Sequence, residues 1–286
     1  GRVAFTTDSY VVSPLFFLGG DIGKLAVCGT VNDLATSGAV PEYLSLAMII
    51  EEGLPIEDLS RVVHSIKVAA AEAGVRIVTG DTKVVNRGKA DKLFINTAGI
   101  GVIPSGLDIS GHNARPGDIV MLSGSMGDHG MAIMAQREGF SFEVPVASDC
   151  APLNGMIASM LQVSKNIRVL RDPTRGGLAT TLNEIAAQSN VSINIEESLV
   201  PVKDAVRAAC ELLGFDPLYV ANEGKMIAVV APEDADAVLQ VMKNNPYGAE
   251  AAVIGEVSAE RPGKAVLRTA LGARRILDML SGELLP

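Results

Sequence analysis

Five aspartates stand in short polar motifs beside apolar segments, and the chemistry they share is the binding of a hard metal ion. They are Asp8 in TTDSYV, Asp33 in TVNDLA, Asp81 in TGDTKVV, Asp128 in MGDHG and Asp172 in RDPTRGG. We expect them at strand ends or helix starts, where α/β proteins gather their ligands. Carboxylates there suit Mg²⁺, which is held by a few carboxylates plus substrate phosphates. Each aspartate alone is better explained as a helix cap or turn residue, whereas the set favours a metal site.

The motif DPTRGG is the best candidate for an anion site. Thr174 can cap the following helix, while Gly176 and Gly177 let a phosphate approach backbone N–H groups closely. Arg175 adds a bidentate hydrogen-bond donor. An ordinary glycine-rich turn between a strand and a helix explains the same residues about equally well.

Lys24 in GGDIGKLA resembles a phosphate-binding lysine, but its surroundings do not match the P-loop. Leu25 occupies the position that needs Ser or Thr, and the first glycine of that motif is missing. The sequence therefore excludes a Walker-type site.

Glu223 in ANEGK is the candidate general base. We predict a strand here, with Lys225 two residues later on the same face. A simple ion pair between these two residues is the alternative, and a base is favoured if Glu223 faces the same cleft as Arg175 and the aspartates. His129 is a weaker candidate for contacting phosphate, because a histidine in a first helical turn is more often solvated.

The composition indicates a soluble globular protein of about two domains. The chain has 286 residues, 48% hydrophobic and 20% charged, and a formal net charge of -9, which argues against binding nucleic acid. It shows no apolar run of membrane-helix length and no signal peptide, so we expect a cytoplasmic location. Cys28, Cys150 and Cys210 are far apart in sequence, which predicts buried reduced thiols instead of a zinc site.

Strand-like and helix-like patterns alternate through both halves and predict a two-domain α/β (α+β) fold. In the first half we predict strands over VAFTTDSYVV, EYLSLAMIIEE, RIVTGDTKVV and LFINTAGIGVI, and helices over GKLAVCGTVNDLATSGA and IEDLSRVVHSIKVAAAEAG. The turn-rich stretch SGHNARPGD marks the boundary, which gives domains over residues 1–112 and 113–286. The second half continues with strands such as DIVMLSGS and YVANEGKMIAVVA and helices such as TLNEIAAQSN and KDAVRAACELLG.

Taken together, the motifs resemble the AIR synthetase-like superfamily, which includes selenophosphate synthetase and thiamine-phosphate kinase. The segments that carry the resemblance, in order, are TTDSYV, GTVNDLATSGAVP, GDTKVV, MGDHG, DPTRGG and NEGK. The resemblance implies an N-terminal sheet domain that dimerises, ATP and Mg²⁺ held across the dimer interface, and a C-terminal α/β domain. The residues it implies as Mg²⁺ ligands are Asp8, Asp33, Asp81, Asp128 and Asp172. Those it implies as ATP-binding or catalytic are Asp8, Lys24, Asn32, Asp33, Asp81, Thr82, Lys83, Asp128, Asp172, Thr174, Arg175, Gly176 and Glu223, with Glu223, Arg175 and Lys83 as the catalytic ones.

Three segments look specifically like the carbamoyl dehydratases of nickel–iron hydrogenase maturation. They are DSYVVSPLFFLGGDIGKLAVCGT, GDTKVV with LFINTAGIG, and CELLGFDPLYVANEGK. That resemblance implies the ATP-dependent dehydration of a carbamoylated C-terminal cysteine to a thiocyanate, in a homodimer. The implied partners are a HypF-type carbamoyl transferase and a HypC–HypD cyanide acceptor complex. A small-molecule kinase or selenophosphate synthetase of the same superfamily, or a non-catalytic nucleotide-binding scaffold, are the alternatives.

The chain departs from that family at both ends. The family has a glycine-rich segment ahead of this start and a Pro-Arg-Ile-Cys tail whose cysteine receives the carbamoyl group, whereas this sequence stops at Leu285 and Pro286. We expect a truncation, because SGELLP looks like the approach to such a tail. The three internal cysteines are not expected to replace the tail cysteine.

Overall fold

The computed structural model describes residues 1–139 and 144–280. The strands are β1 (Arg2–Tyr10), β2 (Phe16–Phe17), β3 (Gly20–Asp21), β4 (Val40–Glu51), β5 (Arg76–Val85), β6 (Leu93–Ile103), β7 (Ile119–Leu122), β8 (Ile167–Arg171), β9 (Ser192–Glu196), β10 (Ile227–Val230), β11 (Ala252–Ser258), β12 (Lys264–Arg268) and β13 (Arg274–Leu277). The helices are α1 (Ile22–Thr36), α2 (Ile56–Ala73), α3 (Asp128–Glu138), α4 (Asn154–Val163), α5 (Gly177–Ser189), α6 (Asp204–Leu213) and α7 (Ala235–Lys243). None of these helices is both long enough and apolar enough to cross a membrane.

The N-terminal half forms a four-stranded sheet in the order β1-β6-β4-β5, with α1 and α2 packed on one face. Only β4 and β5 run parallel in it. Along β6 the buried side chains Leu93, Ile95 and Thr97 alternate with more exposed ones, because successive strand residues point to opposite faces. The buried face packs against the helices, so this sheet has one covered side.

The other face of the four-stranded sheet is open and apolar in this chain. Phe5 is 68% exposed and Val3 is 65% exposed, on strand β1. Their register partners on β6, Val102 and Ile100, continue the patch, and Val40 of β4 lies next to Val102. Ile49 is also exposed, farther along β4. Grouped exposed apolar residues of this kind favour an interaction surface.

The C-terminal half forms a seven-stranded sheet in the order β13-β12-β9-β11-β7-β10-β8. Its central strands are buried on both faces. In β10, Ile227 and Val229 join the core under α5, whereas Ala228 and Val230 join the core under α4 and α7. Sandwiching the sheet between two helical layers explains why IAVV is continuously apolar instead of alternating.

Contacts between side chains and backbone join the two halves. The amide of Asn154 on α4 donates to the carbonyl oxygen of Ala73 at the end of α2, at 2.8 Å. The hydroxyl of Tyr247 donates to the carboxylate of Glu72. The boundary predicted between residues 112 and 113 falls in the segment between β6 and β7, and it stays a prediction.

Most predicted elements of the first half are confirmed, but one strand of the second half is wrong. In the segment predicted as a strand from Tyr219 onward, Tyr219 ends a short 3₁₀ turn (Pro217–Tyr219), the following residues up to Met226 form a loop, and only Ile227–Val230 is strand. Side chains of Asn222 and Asp149 bond the backbone of this loop, in place of a neighbouring strand. The SGELLP segment on which the truncation was argued lies outside the described residues.

Candidate functional site

A group of carboxylates meets where β1, α1 and the loop after β8 come together. Asp33 lies inside α1, and its Oδ2 accepts a hydrogen bond from the hydroxyl of Thr6 on β1 at 3.0 Å. Burial raises the pKa of Asp33 to about 6, and the charge of Asp172 adds to this effect more strongly than that of Asp8. Asp33 therefore lies close enough to both aspartates for their negative charges to raise its pKa.

Glu223 belongs to the same group. Burial raises the pKa of Glu223 well above its usual range, and the carboxylates of Asp172, Asp149 and Asp8 raise it further, in that order. Burial likewise raises the pKa of Asp172. Crowded carboxylates that penalise one another's charge are relieved by a bound cation.

The predicted positions of the aspartates need correction. We expected them at strand ends or helix starts, but Asp8 and Asp81 lie inside strands and Asp33 inside a helix. Asp128 does begin α3, and Asp172 does follow β8. Asp8 and Asp81 are exposed because β1 and β5 are edge strands, whereas Asp33 is half-buried beside Thr6 of β1.

The carboxylate group fits a magnesium ion only in part. In the part of the chain that the structure describes, no three His, Cys, Asp or Glu side chains converge closely enough to hold a metal by themselves. Mg²⁺ is commonly bound by one or two carboxylates, with phosphate oxygens and waters completing its shell. Asp33 and Asp172 are suited to that smaller role.

The start of α5 provides a tight backbone turn next to Asp172. Gly176 and Gly177 have φ values of +76° and +60°, which L side chains rarely adopt. A Cβ on Gly177 would lie 2.6 Å from the carbonyl oxygen of Leu218. The helix N-cap is Gly176 and makes no side-chain hydrogen bond, so the predicted capping by Thr174 is wrong. Arg175 is exposed in this turn, and its contact with phosphate stays a prediction.

The loop that carries Glu223 is fastened on two sides by buried side chains. Asn222 accepts a hydrogen bond from the N–H of Gly127 at 2.8 Å and donates to the carbonyl oxygen of Pro173 at 3.0 Å. It thereby joins the loops before α3 and α5 to the Glu223 loop. The ammonium of Lys225 lies 3.6 Å from the carboxylate of Asp149. The alternative explanation of Glu223, an ion pair with Lys225, is therefore not supported.

Asp128 occupies a separate buried position. Its Oδ2 accepts from the hydroxyl of Ser125 at 2.6 Å and from the ammonium of Lys203 at 2.7 Å. Its Oδ1 has no hydrogen-bond partner among the described residues. The next residue, His129, is buried, and its Nδ1 lies 2.8 Å from the hydroxyl oxygen of Ser148. The expectation that His129 is solvated is therefore wrong.

Three predicted ATP ligands share strand β5: Asp81, Thr82 and Lys83. This strand lies at the edge of the sheet opposite to β1, three strand spacings or roughly 14 Å from Asp8. Asp81 pairs with Ala47, which follows the core-facing Leu46. Because successive strand residues face opposite sides, Asp81 lies on the open face. One chain therefore does not bring these three residues to the carboxylate group.

The remaining predicted residues are engaged within the protein. The ammonium of Lys24 donates to the carbonyl oxygen of Gly19 at 3.2 Å. The amide of Asn32 is buried, donates to the carbonyl oxygen of Ala151 at 3.0 Å and accepts from the N–H of Leu153 at 2.8 Å. Their roles as phosphate neighbours stay predictions. The three cysteines are buried and unpaired, as predicted.

Sequence reasoning missed Asp149, Asn222 and Lys203. Each acts through a partner far along the chain, as in the 74-residue separation between Asp149 and Glu223. Local spacing carries no signal for such contacts. The one available hint is that Asp149 is an acidic residue in an otherwise small and apolar stretch, ASDCAPL.

Two family models match the chain and define its class. Residues 1–103 match the N-terminal domain of AIR synthase related proteins, and residues 115–268 match the C-terminal domain. The chain thus has both domains of an AIR synthase related protein.

Individual relatives narrow the class. The carbamoyl dehydratase HypE of Rhizobium leguminosarum bv. viciae is 58% identical over 287 residues, covering 100% of this chain and 82% of the relative. A crystal structure of hydrogenase maturation protein HypE in complex with ATP is 54% identical with a TM-score of 0.96, covering 99% of this chain and 86% of that chain. A crystal structure of a HypE–HypF complex is 52% identical with a TM-score of 0.94, covering 97% of this chain and 90% of that chain. The chain belongs to the HypE family of AIR synthase related proteins, which confirms the resemblance drawn from its motifs.

Proposed function

We propose that this protein uses ATP to dehydrate an S-carbamoyl-cysteine to a thiocyanate, which supplies the cyanide ligand for nickel–iron hydrogenase maturation. The observation that carries the proposal is that Asp33 and Glu223 each lie near Asp172, which stands just before the glycine turn that starts α5. A cation and a phosphoryl group are the ligands that such an acidic group and a helix N-terminus accept together. The solved complex of a HypE with ATP supports this assignment.

Asp33 and Asp172 are the proposed Mg²⁺ ligands, with Asp8 next to them. The bound ion would neutralise charge on the transferring phosphoryl group. Arg175 and the backbone N–H groups at the start of α5 would orient that phosphoryl group from the other side. Asp128 remains a proposed Mg²⁺ ligand, but its negative charge is already neutralised by Lys203.

The chemistry needs a leaving group and a base. An amide oxygen does not leave as oxide, but it leaves as phosphate once the carbonyl oxygen has attacked the γ-phosphorus and ADP has departed. The nitrogen then gives up two protons, the C–O bond breaks, and a nitrile remains on sulfur. One carbamoyl group and one ATP give one thiocyanate, ADP and phosphate.

Glu223 is the proposed base for these protons. Its pKa is raised well above its usual range, mainly by burial, and a carboxylate of raised pKa is a stronger proton acceptor when it is deprotonated. A cation bound by its acidic neighbours would bring that pKa back down towards the working pH. Lys83 is the third proposed catalytic residue and acts on the phosphates.

We propose that a second subunit completes the ATP-binding site. Asp81, Thr82 and Lys83 lie at the far edge of the sheet within one chain, and the open apolar face between the two edges suits a symmetric partner. A homodimer through this face would offer strand β5 of one subunit to the carboxylate group of the other. Both sets of predicted ligands could then contact one ATP.

The proposed partners follow from the family. A HypF-type carbamoyl transferase would load the tail cysteine, which the solved HypE–HypF complex supports for that pair. A HypC–HypD complex would accept the cyanide. We also propose the domains over residues 1–112 and 113–286, since the two sheets lie on either side of this division.

The test is a mass measurement on the full-length protein carrying a C-terminal Pro-Arg-Ile-Cys tail. It is incubated with the carbamoyl transferase, carbamoyl phosphate and Mg-ATP. The proposal predicts the gain of one carbamoyl group on the tail cysteine, followed by the loss of one water. Glu223→Gln should accumulate the carbamoylated stage, with only slow residual loss of water, while still binding ATP.

Two results would contradict the proposal. A carbamoylated wild-type tail that never loses water, with ATP bound and unspent, would favour a nucleotide-binding scaffold. ATP spent on phosphorylating an added small molecule would favour a kinase.

A further inference from the structure

Residues 149–153 belong to the second half and contact helix α1 of the first half, and we call this segment the connector. Asn32 of α1 fixes this connector by donating to the carbonyl oxygen of Ala151 and accepting from the N–H of Leu153. The next residue of the same helix is Asp33. The position of the connector is therefore tied to the helix that supplies one of the proposed magnesium ligands.

The connector also holds the loop of Glu223, through the side chain of Asp149. Asp149 Oδ1 accepts a hydrogen bond from the N–H of Glu223 at 3.1 Å, and Oδ2 accepts from the N–H of Gly224 at 3.2 Å. The ammonium of Lys225 lies 3.6 Å from Oδ2. This side chain is only 1% exposed, so the contacts form away from water, where hydrogen bonds to a charged acceptor are strong.

The fit between loop and connector is tight. A Cβ on Gly224 would lie 1.8 Å from the carbonyl oxygen of Asp149. Glycine is required there because the two backbones touch. The loop thus has little freedom to shift without breaking its hydrogen bonds to Asp149.

We propose that Asp149 is a positioning residue: its carboxylate sets where Glu223 stands relative to Asp33 and Asp172 by binding two successive N–H groups of the loop. The inference rests on the proton-accepting role proposed above for Glu223. Asp149 does not touch the substrate in this account. Through the connector, the position of α1 in the first domain fixes the position of Glu223 in the second domain.

A purely structural role is the competing explanation. Asp149 would then serve only to neutralise the buried Lys225, and any loss of function would follow from general loosening. The two explanations differ in which variant matters. Lys225→Met removes the ammonium and keeps both acceptor contacts, whereas Asp149→Asn keeps the shape and places an NH₂ group against backbone N–H groups.

The experiment measures single-turnover thiocyanate formation in the full-length, tail-bearing, carbamoylated protein. We expect Asp149→Asn to lower the first-order rate constant at saturating Mg-ATP roughly 10- to 100-fold, because small displacements of a reacting group cost this much. The ATP concentration that gives half the maximal rate should stay within about twofold. Lys225→Met should keep the rate constant within about threefold, even with a lower melting temperature. If Asp149→Asn does not fold, Asp149→Ser provides the same comparison.

A double-mutant cycle gives the decisive readout. If Asp149 acts through Glu223, adding Asp149→Asn to Glu223→Gln will lower the rate constant no further, because the residue being positioned is already lost. Multiplicative losses in the double mutant, or equal losses in Asp149→Asn and Lys225→Met, would overturn the positioning role. A normal rate in Glu223→Gln alone would instead overturn the proposed base, and that result is separate from the cycle.

Discussion

At the scale of the residue, burial and neighbouring negative charge make the ionised form of the carboxylate group unfavourable. The folded-state pKa of Asp33 is raised to about 6, above its unfolded value of about 3.9. The folded state therefore binds its proton more tightly, and stability falls as pH rises between these two values. We expect Asp33→Asn to stabilise the metal-free protein by roughly 1–3 kcal/mol at pH 7.5 and by far less at pH 4. Urea unfolding in a chelating buffer measures this difference, and equal effects at both pH values would contradict it.

At the scale of the element, the start of α5 depends on glycine. Gly177 has φ +60°, and an added Cβ would lie 2.6 Å from a backbone oxygen. We expect Gly177→Ala to lower the free energy of unfolding by roughly 2–4 kcal/mol. The matched control is Gly155→Ala in α4, where an added Cβ meets open space. This variant should stabilise the helix by up to about 1 kcal/mol. Similar costs for both variants in chemical denaturation would contradict this account of the turn.

At the scale of the whole molecule, one chain alone leaves apolar side chains of the open sheet face exposed to solvent. Phe5 on the edge strand β1 is 68% exposed on this face, and a charge there would be buried without a partner in a dimer through this face. We expect Phe5→Glu to be a monomer by sedimentation equilibrium and to lose ATP turnover, since β5 of a second subunit would no longer reach the site. Leu212→Glu, at a position on α6 that is 71% exposed, should leave the dimer and its turnover intact. A dimeric Phe5→Glu protein would show that the interface lies elsewhere.

The sequence predicts elements better than it predicts contacts. The strand predicted over Leu93–Ile103 has those bounds, and the helix predicted to end at Gly74 ends at Ala73 with Gly74 as its C-cap, because alternation and a C-terminal glycine are local signals. The Glu223 loop was missed because its apolar flank resembles a strand, while its backbone is bonded by Asp149, far away in sequence. The capping role of Thr174 failed because the left-handed Gly176 takes the N-cap position itself. Which carboxylates share one site could not be read from spacing alone, since it depends on sheet order.

The most direct test of the central claim follows the carbamoyl oxygen. The tail cysteine is loaded with a carbamoyl group that contains a heavy oxygen isotope, and the protein is then given unlabelled Mg-ATP in unlabelled water. If ATP activates the carbonyl oxygen at this site, the label will appear in inorganic phosphate, with one labelled phosphate for each thiocyanate formed. If the label appears in water and the phosphate is unlabelled, the oxygen does not leave as phosphate, and the proposed mechanism is wrong.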